Sequence, residues 1–160
     1  MTSPRPCVLV HYDEIALKGG NRPWFERMLE RNLRDRTGED PQSRRLPGLI
    51  LLYPDGPAAK TAACASRLPG VSSASPAVET ELDWKSVEEA ALALIRQVPF
   101  GSFAVRASRQ DKNLPFQSRE AAARLGGVIQ QATGARVDLE RPERTLHAEF
   151  LSRQVLLYCD

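Results

Sequence analysis

Histidine, cysteine and aromatic residues are scarce in this 160-residue chain, and each shortage removes a class of chemistry. The two histidines, His11 and His147, lie in alternating, strand-like segments and form neither a metal-ligand set nor a triad, and no serine sits in a nucleophile-elbow context. The three cysteines, Cys7, Cys64 and Cys159, are odd in number, far apart and set in apolar segments. That pattern excludes a disulfide framework and a CxxC pair, and predicts buried, unreactive thiols. No apolar run approaches the roughly 18 residues of a membrane span, and no basic-then-apolar leader opens the chain, so a soluble, cytoplasmic protein is expected. The GxxxxGK[ST] phosphate loop is absent, and no metal or cofactor is expected.

What is present is a globular composition, 42% hydrophobic, with charge of both signs. That is enough apolar sequence for one medium domain or two small ones. The formal charge is only +2, but it is unevenly spread. Residues 102–136 carry six cations against two anions, and residues 1–45 carry nine against seven. Between and after them, residues 46–101 and 137–160 are each acidic by two charges. Basic zones of this kind suit a polyanion, although a solvated surface also produces them.

Along the chain, Cys7 to Tyr12 alternates as a strand. A helix follows from Asn21 or Arg22, with Pro23 in its first turn and Trp24, Phe25, Met28, Leu29 and Leu33 as its predicted apolar face. Opposite stand Arg27, Arg31 and Arg34, a line of cations whose simplest reading is a solvated face with Glu26 and Glu30 as local partners. Leu49 to Tyr53 reads as a buried strand, Ala58 to Leu68 as a helix ended by Pro69-Gly70, and Val71 to Leu82 as a returning strand. With Arg44-Arg45 in the missing partner strand, the order is a ferredoxin-like βαββαβ domain over residues 1–82. Residues 83–160 form a second α/β unit. There Ser86 to Glu89 offers a capping box before a helix, Ser102 to Arg109 is a strand, Ser118 caps a helix closed by Gly134, and two strands finish the chain.

Two places could hold phosphate. Lys18-Gly-Gly-Asn-Arg22 precedes a helix start, where backbone N–H groups attract anions, although spacing alone favours a glycine turn. Arg106, Arg109, Lys112, Arg119, Arg124 and Arg136 crowd a strand, a loop and a helix start, with Asn113, Gln117 and Ser118 as neutral donors. Phe116 is the one obvious stacking side chain in that span; docking of its loop onto the core is an equal alternative.

Glu14 to Gly19, Asn21-Arg22 and Phe25-Glu26 resemble the opening of the tRNA 4-thiouridine synthases, a family also linked to thiazole synthesis for thiamine. Leu68 to Val71 resembles the end of that family's ferredoxin-like domain. Phe103 to Arg106, Arg109, Ser118 to Glu120, Gly126-Gly127, Val137 to Leu139, Pro142 and Glu149 resemble a THUMP domain, an RNA-binding module. Asp13 and Gly20 depart from the family's glycine and cation, which weakens the expected grip at the first helix.

The resemblance implies an α/β (α+β) protein, a ferredoxin-like domain followed by a THUMP domain, that binds the acceptor stem and 3′ end of tRNA. It implies Arg106, Arg109, Lys112, Arg119 and Arg124 as phosphate contacts, Lys18 and Arg22 as a second set, and Glu14 as a structural partner of a cation. Family members adenylate the target uridine in an ATP-pyrophosphatase domain, for which these 160 residues hold no phosphate loop. No catalysis by this chain alone is therefore expected. It is either the RNA-binding part of a longer sulfurtransferase or an adaptor presenting tRNA to a separate modifying enzyme. A scaffold without RNA binding is the rival that the acidic zones suggest.

Overall fold

A computed structural model describes residues 4–12, 22–38, 40–46 and 49–160. They divide into two compact units, Pro6–Ala77 and Val78–Asp160, the start of the chain going with the second. The first unit runs β1 (Arg5–Tyr12), α1 (Arg22–Thr37), β2 (Gln42–Leu46), β3 (Leu49–Tyr53), α2 (Ala58–Ala65) and the first part of β4 (Val71–Glu81). Its strand order is β2-β3-β1-β4, with β3 antiparallel to β1 and β2. This is the expected ferredoxin-like order, and the Arg44-Arg45 stretch does supply the partner strand, Arg44 lying opposite Leu51.

Alternation makes one face of this sheet. Val8, Val10, Ile50 and Leu52 pack against Phe25, Leu29 and Leu33 of α1 and against Ala62 and Ala65 of α2. The predicted face of α1 is too wide by one residue. Trp24 is 56% exposed, because at 3.6 residues per turn its indole stands about 100° from Phe25 and farther from Leu29 and Leu33.

The second unit contains α3 (Trp84–Ile95), β5 (Ser102–Arg109), α4 (Ser118–Thr133), β6 (Arg136–Val137), β7 (Arg144–Phe150) and β8 (Gln154–Cys159). The order is β4-β8-β7-β5-β6. Strand β5 is parallel to β6 and β7, so α4 is the crossover between parallel strands. Strand β8 is antiparallel to β7 and to β4. Phe103, Val105, Leu146, Ala148, Phe150, Val155 and Leu157 face α3 and α4, meeting Val87, Ala91, Ile95, Leu125 and Ile129.

Two helix starts differ from expectation. Asp83, not Ser86, is the N-cap of α3, its carboxylate accepting from the Ser86 N–H. Gln117, not Ser118, is the N-cap residue of α4 and gives no side-chain cap. Gly134 does end α4, at φ 74°, its N–H donating to the Gln130 carbonyl. The two-residue strand β6, with no alternating run to signal it, is absent from the sequence prediction. Cys7 is buried as expected, whereas Cys64 and Cys159 are half-buried. No helix among the described residues is long and apolar enough to cross a membrane.

Candidate nucleic-acid interface

The second unit's cations emerge where β5 ends and α4 begins. Strand β5 turns Phe103 and Val105 to the helices, so Arg106 and Ser108 point from the opposite face. The Arg106 guanidinium donates to the Leu139 carbonyl at 3.2 Å and is otherwise exposed. Its register neighbour is His147, which in turn faces Tyr158. The His147 and Tyr158 rings stack at 4.6 Å and 8°, and His147 Nε2 lies 3.0 Å from Asp160 Oδ2. Arg106, Ser108, His147, Glu149 and Tyr158 line an open cavity of about 190 Å³. Burial, with Glu149 and Asp160 nearby, pushes the Tyr158 phenol up to about 12, so it remains a neutral hydrogen-bond donor.

Arg109 is turned to another task. Its Nη1 donates to the carbonyls of Leu114, at 3.3 Å, and Phe116, at 2.8 Å, and its Nη2 reaches Gln117 Oε1 at 3.3 Å. The guanidinium thus holds the connection from β5 to α4 in shape, helped by the Asp111 side chain, which accepts from the Asn113 N–H. Phe116 is not presented for stacking. Its ring lies 5.3 Å from Trp84 and 5.0 Å from Phe150, docking the loop on the core.

Arg124 is likewise engaged, its Nε 2.9 Å from Glu88 Oε1 and its guanidinium 4.3 Å above the Trp84 ring, which ties α4 to α3. Lys112, on the loop, and Arg119, in the first turn of α4, are exposed. Neither has an ion-pair partner among the described residues. Because Gln117 bonds Arg109 instead of capping, the first α4 amides are left to outside acceptors. Glu120 is the acidic residue in that turn. Arg136 is 77% exposed, in loose contact at 3.9 Å with Asp138.

Of the other predicted set, Lys18 lies outside the described residues, as does Glu14, and Arg22 opens α1 with a side chain that is likewise not described. The sequence set His147 aside as a rim or packed residue, yet it shares a row with Arg106. The signal was available in the alternation, since both occupy the polar positions of strands whose apolar positions face the helices.

Among known proteins, the THUMP domain family matches residues 81–160 and the ThiI ferredoxin-like domain matches residues 7–75. A protein of Moorella thermoacetica named as a probable tRNA sulfurtransferase is 32% identical over 154 residues, covering 94% of this chain and 40% of the relative. A Nocardia farcinica protein of the same name is 34% identical, with 94% and 39% covered. This chain thus spans about 40% of the length of such relatives. A crystal structure of a 4-thiouridine synthetase in complex with RNA and ATP superposes with a TM-score of 0.81 at 25% identity, over 98% of this chain and 41% of the other.

Proposed function

We propose that this chain, which belongs to the THUMP domain family and joins that domain to a ThiI ferredoxin-like one, is a tRNA-binding module of a 4-thiouridine-forming system. It takes the acceptor stem and 3′ end, with residues 1–82 and 83–160 as its two domains. One feature supports this above all. Lys112 and Arg119 are exposed, without carboxylate partners among the described residues, around the uncapped start of α4, and Arg106 is exposed on the sheet face away from that helix. Cations and backbone N–H groups at one helix start are what a ribose-phosphate chain needs, and A-form RNA is read through phosphates and 2′-hydroxyls rather than base edges. Arg109 and Arg124 contribute by shaping the loop and seating α4, with their remaining N–H groups turned to phosphate. Lys18 and Arg22 form a second contact set. A similar 4-thiouridine synthetase has been crystallised in complex with RNA, which supports RNA binding as the role.

Binding, not chemistry, is the role of these 160 residues. Adenylation and sulfur transfer belong to an ATP-pyrophosphatase domain, either in the same polypeptide or in a separate protein to which the chain presents tRNA. Retention of a labelled tRNA transcript on filters tests the assignment. Binding is expected to weaken steeply with salt, and Arg106→Ala and Lys112→Ala should each lower affinity and reduce the slope of log K against log salt by about 0.7–0.9. Unchanged affinity and slope in both variants overturn it.

A further inference from the structure

The outer side of α1 carries an exposed indole in a row of guanidinium groups. Trp24, Arg27 and Arg31 follow i, i+3, i+7 spacing, which places them on one side of the helix, and Arg34 continues the row. Phe25, Leu29 and Leu33 face the core from the other side. Trp24 is 56% exposed, the most open aromatic side chain among the described residues.

The helix's own carboxylates do not neutralise this row. Glu26 forms a two-point pair with Arg45 of β2, Arg45 Nε to Glu26 Oε1 at 2.7 Å and Nη2 to Oε2 at 2.7 Å. Glu30 accepts from the Ser43 hydroxyl, also on β2. Arg27, Arg31 and Arg34 are exposed, as the solvated-face reading expects, while Glu26 and Glu30 also reach across to β2. Arg34 pairs with Asp40 at 3.0 Å, and Asp35, exposed four residues after Arg31 on the same side, is the one carboxylate of the helix on this face. Arg27 and Arg31 have no ion-pair partner among the described residues.

We infer that the Trp24–Arg27–Arg31 face of α1 is a second RNA contact, in which Trp24 stacks on an unpaired base and the two arginines hold the adjoining phosphates. Stacking on an aromatic side chain beside a cationic track is the general means of holding single-stranded nucleic acid. A protein partner would be met by a cluster of apolar residues with charge at its rim. Here one indole stands in a field of positive charge, with half-buried Met28 as its apolar neighbour. Charge complementarity thus favours a polyanion. The inference rests on the proposed tRNA-binding role but uses residues other than those assigned there, on the helix that Arg22 opens.

The test titrates a tRNA transcript into the full chain while following tryptophan emission. Trp24 and Trp84 are the two tryptophans, and Trp84 packs against Phe116 and Phe150. RNA is expected to quench the emission of the unmodified protein, and Trp24→Phe should remove the part that Trp24 contributes, leaving the response of Trp84, which lies beneath Arg124. Trp24→Ala should weaken binding at least about fivefold. The double variant Arg27→Ala/Arg31→Ala should lower the salt slope by about 1.4–1.8. The double variant Lys60→Ala/Arg67→Ala, which removes exposed cations elsewhere in the same unit, is the control for general charge. An equal loss in the control, or wild-type affinity in both α1 variants, overturns the inference while leaving the tRNA-binding role intact. No binding of tRNA by the unmodified chain overturns both. Thermal melts keep folding separate from binding, and these exposed positions should leave the midpoint unchanged.

Discussion

Arg109 and Lys112 stand three positions apart in one basic segment, yet they do different physical work. Arg109 donates to two loop carbonyls and to Gln117, whereas Lys112 is exposed at the loop. Arg109→Ala should cost about 1–2 kcal/mol in urea unfolding and loosen hydrogen-exchange protection over residues 110–117, since two part-buried carbonyls lose a charged donor. Arg109→Lys should recover little of it, because an ammonium cannot reproduce the planar fork. Lys112→Ala should leave the urea midpoint unchanged and act only on RNA affinity. A second prediction at this scale concerns Tyr158, whose phenol is pushed up to about 12 by burial and by Glu149 and Asp160. In the unfolded chain a phenol loses its proton near pH 10. Between about pH 10 and 12 the unfolded state thus binds fewer protons than the folded one, and stability falls as pH rises. The contribution is complete below about pH 10 and lost by about pH 12. Ultraviolet titration of phenolate should show a late-ionising tyrosine that Tyr158→Phe removes, and that variant should flatten the loss of stability across the same window.

Helix starts were read less well than helix bodies, and the reason is chemical. Apolar spacing in α3 and α4 follows a 3.6-residue period that any core-facing helix must show, so Val87, Ala91, Ile95, Leu125 and Ile129 were legible. Which polar residue caps depends on one dihedral and one hydrogen bond, and Asp83-to-Ser86 and Ser86-to-Glu89 are both sound capping patterns in sequence. The structure selects Asp83, so Asp83→Ala should cost about 1 kcal/mol and Ser86→Ala less. At α4 the missing cap bears on the proposed phosphate contact. Replacing Gln117 by Asp would supply an acceptor for the first amides of α4 and a favourable charge at its positive end. The same carboxylate would occupy the amides assigned to phosphate. Gln117→Asp should therefore raise or preserve the melting temperature while weakening tRNA binding, a divergence that calorimetry and filter retention can read together. Parallel losses of stability and affinity would show that the loss of the Arg109 bond, not competition for the amides, governs the variant.

For the molecule as a whole, the order of elements in each unit was legible because alternating and helical patterns are local properties of the chain. The candidate site was legible only as a list of cations. That Arg109 turns inward, that Arg124 covers Trp84, and that Glu26 and Glu30 face β2 are consequences of tertiary packing, which brings together residues 36 apart in the case of Arg124 and Glu88. Trp24 is the opposite case, since helical spacing alone sets it apart from Phe25, Leu29 and Leu33. The proposed division between binding and chemistry belongs to the same scale. Sulfur transfer to tRNA needs an activated uridine and a reactive sulfur, and Cys7 and Cys159 are poorly suited to supply the second. Cys7 is fully buried, and burial raises the Cys159 thiol above its ordinary range, opposite to the lowered pKa of a reactive thiolate. The purified chain, given tRNA, ATP and a sulfur donor, should therefore bind the tRNA and leave it unthiolated, as judged by retardation in a mercury-containing gel. Supplying an ATP-pyrophosphatase protein of the same system should restore thiolation, and Arg106→Ala should reduce the restored rate by raising the tRNA concentration needed rather than by lowering the rate at saturation. Thiolated product from the chain alone would place the chemistry within these 160 residues and end the division argued here.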